Sequence, residues 1–179
     1  NYIKYIQFPK YKNLTDGSRI EFNFPLTMLV GKNGTGKSSV LQAIYGCPQN
    51  KSTGDYWFST DVDPIEDGKN KYFCGYQKNS ETGIKEVIKK RQNSAKSPDY
   101  WETDALDVKV GMKPDYNLDK ETRNNPVEKN VVYFDFRGEL SAFDKYFHFY
   151  KTKTDHKVRM FEQKNKESKE YVKKCILRS

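Results

Sequence analysis

The chain has 179 residues with 32 Lys and Arg against 24 Asp and Glu, a formal net charge of +8. That is about one domain's worth of chain. Its 35% apolar share is low, but 26 aromatic residues compensate, so a core of large rings is expected and wholesale disorder is excluded. No apolar stretch approaches the roughly 20 residues that cross a bilayer, and NYIKYIQFPK lacks the pattern of a secretion signal, so a cytoplasmic protein with no membrane partner is the default expectation. Cys47, Cys74 and Cys175 are spaced for neither a disulfide framework nor a zinc site, and His148 and His156 form no metal cluster. Buried or incidental thiols are expected. The first residue is not Met and the chain ends in CILRS, which reads as a piece of something longer.

In chain order, Ile3 to Tyr11 reads as a strand, Thr15-Asp16-Gly17-Ser18 as a turn, and Ile20-Glu21-Phe22-Asn23-Phe24 as an antiparallel partner with period-two alternation. Leu26-Thr27-Met28-Leu29-Val30 is apolar at nearly every position, as a central strand covered on both faces would be. Ser38 to Tyr45 has helical spacing, with Gly46 expected as its stop. Residues 47–70 are turn-rich and acidic, an expected surface insertion with Trp57 and Phe58 tucked inward. Lys71 to Gln77 reads as a strand and IKEVIKKR as its hairpin partner, although Ile84, Val87 and Ile88 also fit a short helix. From Gln92 to Lys129 the polar, proline-bearing pattern suggests a second insertion anchored by Trp101, and Val131-Val132-Tyr133-Phe134 a second buried strand, followed by a helix with Leu140, Phe143 and Phe147 on one face.

The basicity is local. Residues 145–179 carry 11 Lys and Arg against 4 Asp and Glu, a net of +7. From Lys157 onward the spacing is helical, with Val158, Phe161, Val172, Cys175 and Ile176 on a broken apolar stripe. A charge run of this kind is first a solvated helix face, second an arm, and third a binder of nucleic-acid phosphates.

One motif carries chemistry. Gly31-Lys32-Asn33-Gly34-Thr35-Gly36-Lys37-Ser38 satisfies G-x-x-x-x-G-K-[ST] and lies between an apolar run and a helical run, where a phosphate-binding loop belongs. Its glycines let successive N–H groups face one concavity, Lys37 would bridge the β- and γ-phosphates, and the Ser38 hydroxyl would join the shell of a Mg²⁺ held with them. A GTPase would also need D-x-x-G and [NT]-K-x-D. Asp135-Phe136-Arg137-Gly138 and Thr152-Lys153-Thr154-Asp155 match the strings but start 17 residues apart, too close for the intervening helices and strands. A small-molecule kinase would begin at the loop strand and carry an arginine-bearing lid, whereas six scattered arginines and a preceding strand pair are found here.

Residues 2–45 as a whole resemble the ATPases of the ABC, SMC, RecF and OLD class: a strand, a turn at Phe8-Pro9-Lys10-Tyr11-Lys12-Asn13-Leu14, a second strand, LTMLVG, then GKNGTGKSSVLQAI. VVYFDFRGELSAF is similar to a later strand and helix of OLD-like members, with Arg137 after the strand. The whole chain is most similar to the ATPase component of anti-phage systems of the PARIS type. This resemblance implies an α/β P-loop NTPase fold, residues 1–150 forming a first lobe with N-terminal antiparallel strands, phosphate loop, helix and insertions, and 151–179 leading as a basic helix to an arm or a second lobe. It implies ATP with Mg²⁺ as cofactors, held by Asn33, Gly34, Thr35, Gly36, Lys37, Ser38 and Ser39. Lys12 would approach the phosphates from the turn, Gln77 would join Ser38 at the metal, and Lys37 would act in catalysis. It further implies a homo-oligomer with ATP sites composed across subunits, and an effector protein such as a nuclease as partner. The class's signature loop and Asp-Glu strand are not found in the chain: Phe136 stands where the catalytic Glu would follow Asp135.

Overall fold

A computed structural model describes residues 2–57, 69–78, 83–93, 99–115 and 117–134. The chain divides into a compact unit Asn1–Val131 and a second, Val132–Ser179. The expected helix after Phe134, the Asp135 to Gly138 and Thr152 to Asp155 strings, Arg137, the 150/151 boundary, the basic C-terminal helix and Phe58 all lie outside the described residues.

The first unit is built on a five-stranded sheet, β1 (Tyr2–Lys10), β2 (Ser18–Glu21), β3 (Lys71–Gln77), β4 (Ile84–Gln92) and β5 (Tyr100–Thr103), in the order β2-β1-β3-β4-β5. Every neighbouring pair is antiparallel. The one α-helix among the described residues, α1, runs Lys37–Gly46, and two short 3-10 turns lie at Thr53–Asp55 and Val108–Val110. Period two decides what each strand buries. Ile6 and Phe8 of β1, Tyr72, Cys74 and Tyr76 of β3 and Val87 of β4 share one core with Val40, Ala43 and Cys47 from α1 and its end. Tyr5, Phe73 and Ile88, one residue out of phase, form a second cluster with Met112. Pro9, which has no N–H for a ladder, falls where the β1–β3 register shifts between Gln7 and Lys10. Gly75 sits opposite Tyr5, whose ring lies across it where a side chain would project.

The expected ring-rich core is present. Tyr11, Trp57 and Trp101 are in mutual contact, with centroids 5.3, 5.8 and 6.0 Å apart, and the Tyr72 ring lies tilted by 42° at 5.3 Å from Trp101. Trp57 and Trp101 therefore anchor their segments. Trp101 does so from β5, a strand that the polar pattern of 92–129 had concealed.

Two expected strands are not strands here. Leu26–Val30 has no regular secondary structure and no ladder partner among the described residues. Phe24, Leu26, Met28 and Val30 are 76–81% exposed, and Leu29 alone of this run packs against the core. Val131–Phe134 likewise has no ladder partner, and Phe134 is exposed. An apolar run becomes a covered central strand when strands flank it on both sides, and none of the five strands does so. Gly46 also differs from expectation: it is the last residue of α1 rather than a left-handed cap, buried because Thr53 and Tyr72 close over it.

Candidate phosphate-binding site

Gly31 to Gly36 forms an irregular loop that enters α1 at Lys37. Gly34 and Gly36 hold φ of +82° and +86°, the left-handed region that glycine adopts without strain. Gly36 is doubly constrained, since a Cβ there would come within 2.5 Å of Leu14 Cδ2. The first intrahelical bond runs from Val40 N–H to Gly36 O at 2.9 Å, so earlier amides are left over as at any helix start. No side chain caps that end and its first turn holds no acidic residue.

The polar groups of the loop converge on one carbonyl. Lys37 Nζ donates to Lys32 O at 2.7 Å and to Gly31 O at 2.8 Å. Thr35 donates to the same Lys32 O from Oγ1 at 2.9 Å and from its N–H at 3.5 Å. An ammonium, a hydroxyl and an amide thus share one neutral acceptor on an exposed loop. A phosphate oxygen is a stronger acceptor for such a set, because charge-assisted hydrogen bonds are about twice as strong as neutral ones. Asn33, Gly34, Thr35 and Ser38 are exposed and Gly36, Lys37 and Ser39 half-buried, so the structure brings seven of the expected binding residues together around the start of α1.

Lys12 is close by but turned elsewhere. Its Nζ lies 3.4 Å from Gln42 Oε1 on α1 and 4.5 Å above the Trp57 ring, and its backbone N–H bonds Asn70 Oδ1. The next two residues touch the loop instead: Asn13 Nδ2 donates to Gly34 O at 2.9 Å, and Leu14 meets Gly36. In sequence, Asn13 is indistinguishable from an ordinary turn residue. Gln77 is separated from the site and does not join Ser38. It pairs with Tyr2 in register and accepts from Tyr2 Oη at 2.9 Å, whereas the turn that touches the loop follows Lys10 at the other end of β1. The two ends of β1, eight residues of extended strand, are roughly 26 Å apart.

The far end of α1 is fixed to the sheet. Lys89 of β4, nearly buried, donates to the carbonyls of Gly46, Pro48 and Lys51. Burial pulls this ammonium below the ordinary lysine range. Burial pushes the Cys47 thiol up, and its neighbour Cys74 adds to the effect, which makes it unreactive at neutral pH. Arg91, fully buried, pairs with Asp99 through Nε at 2.7 Å and Nη2 at 3.1 Å, and its guanidinium lies 4.2 Å over Trp57.

A family model described as an AAA domain matches residues 3–177. The chain belongs to this AAA domain family. The family is of AAA-type ATPases found in SMC-like proteins, which accords with nucleotide binding and with an α/β fold. No curated protein and no solved structure matches the chain. No helix among the described residues of this AAA domain is long and apolar enough to cross a membrane.

Proposed function

We propose that this AAA domain binds ATP with Mg²⁺ through Asn33 to Ser39 and serves as the first lobe of an ABC/SMC-like ATPase. The observation that carries the reading is the sharing of Lys32 O by Lys37 and Thr35, a donor set matched to an anion. Lys37 would leave its loop carbonyls for the phosphates, the loop amides and the start of α1 would face the same charge, and Ser38 would hold the metal ion. When bound, Mg²⁺ would neutralise phosphate charge. The binding energy would drive a conformational switch in a homo-oligomer with composite ATP sites, in anti-phage defence of the PARIS type or in DNA transactions, with an effector such as a nuclease as partner. The exposed row Phe24, Leu26, Met28 and Val30 beside the loop supports a lobe that is completed by further strands.

Lys37→Ala tests the reading. Equilibrium binding of a fluorescent ATP analogue should be abolished while the melting temperature without nucleotide stays unchanged, and undiminished affinity would overturn the proposal. A second reading, an ATP-gated scaffold that holds an effector and scarcely turns ATP over, is favoured by one observation: among the described residues no carboxylate bonds to residues 31–39. Steady-state hydrolysis by the intact assembly separates the two. The 179-residue chain alone should turn over far below about 1 s⁻¹, since positioning and charge stabilisation are most of phosphoryl-transfer catalysis.

A further inference from the structure

We infer that Asn13 is a positioning residue for the phosphate cradle, acting through the Gly34–Thr35 peptide; the inference rests on the nucleotide-binding reading above. Gly34 O and the Thr35 N–H belong to one trans peptide plane, so they point in opposite directions. Asn13 Nδ2 holds Gly34 O at 2.9 Å. The Thr35 N–H is thereby turned the other way, to the side where Lys32 O receives both it and the Lys37 ammonium. Gly34, exposed and with nothing near its missing Cβ, has no steric barrier of its own to a flip of that peptide. A flip would aim a carbonyl oxygen at the phosphates in place of a donor. Leu14 packs against Gly36 from the same turn, so Lys10–Ser18 as a whole indexes the loop against the sheet edge formed by β1 and β2.

Asn13 is exposed, and its deletion should leave the fold intact. The test measures affinity of the 179-residue chain for Mg²⁺-ATP and for inorganic tripolyphosphate, which has no base or sugar, in wild type, Asn13→Ala, Asn13→Asp and Lys37→Ala. Asn13→Ala should weaken both ligands by the same factor, about three- to tenfold, the worth of one hydrogen bond. Asn13→Asp, the same shape with an acceptor in place of the donor, should weaken both further. The melting temperature without ligand should not move for either variant. If Asn13→Ala binds both ligands as wild type does while Lys37→Ala binds neither, Asn13 positions nothing and the inference is overturned. Loss of ATP affinity with tripolyphosphate affinity intact also overturns it, because the residue would then act on base or sugar. If Lys37→Ala changes nothing, the nucleotide reading itself fails and this inference falls with it.

Discussion

Lys89 on β4 donates its ammonium to the carbonyl of Gly46, the last residue of α1. This places a buried positive charge at the negative end of the helix dipole and gives the carbonyls of Gly46, Pro48 and Lys51 a donor. Lys89→Met keeps the aliphatic stem but removes the donors. We expect a loss of about 2 kcal/mol in urea unfolding, and a substitution within about 0.5 kcal/mol of wild type would show that the contact contributes nothing.

Arg91 and Asp99 make a bidentate pair inside the aromatic core. Breaking a buried pair costs more than the pair is worth, because an uncompensated charge is left behind. Asp99→Asn should destabilise the chain by about 3 kcal/mol. Replacing Arg91 and Asp99 together by Met and Leu should recover much of that loss, which a double-mutant cycle in denaturant measures.

Two glycines separate folding from binding. Gly75→Ala thrusts a methyl into the Tyr5 ring across the β1–β3 pair and should cost about 1–3 kcal/mol of stability, as overpacking does. Gly36→Ala meets both a φ of +86° and Leu14, so it should distort the loop and remove ATP binding with little loss of sheet stability. Calorimetry paired with nucleotide titration distinguishes the two outcomes.

Ser38→Ala should weaken nucleotide binding in Mg²⁺ by about tenfold and leave binding in EDTA unchanged, because the hydroxyl is assigned to the metal rather than to phosphate. An equal loss in both buffers would remove that assignment.

Acid lability should centre in part on Asp119. Partial burial by itself would raise its pKa, but the Lys85 ammonium at 2.6 Å, the Asn125 N–H and Lys78 together bring it below 3.8. A carboxyl lower in the folded than in the unfolded chain contributes stability that is fully present above pH 3.8 and is lost as pH falls through the folded value. Asp119→Asn should therefore flatten the stability profile below about pH 4 and leave its shape above pH 5 unchanged, as read by denaturant midpoints across that range.

Local patterns conveyed much of this fold. The period-two runs of β1, β3 and β4, the turn at Thr15 to Ser18 and α1 are all determined by near neighbours in sequence, and each forms where the pattern places it. Leu26–Val30 shows the limit: apolar composition reports a capacity to be covered on both faces, while coverage depends on strands remote in sequence that the run itself does not specify. Lys89 and Arg91 show another. Their spacing on β4 suits a solvated strand face, and their burial follows from α1 carbonyls and Trp57 arriving from more than thirty residues away. Gln77 was a plausible strand-end metal ligand until antiparallel pairing set it beside Tyr2, and Asn13 became a loop contact through the reach of one amide.

The attachment of α1 at its C-terminal end has a mechanical corollary. A rod fixed at one end moves by tilting, and ten residues of helix make a rod of about 15 Å. A 1 Å displacement of Lys37 on filling the loop would thus appear as a rotation of about 4° with its fulcrum near Gly46. The sheet beneath the fulcrum would hardly feel it, whereas the half-exposed Leu41, about midway along the rod, would move about half as far as Lys37.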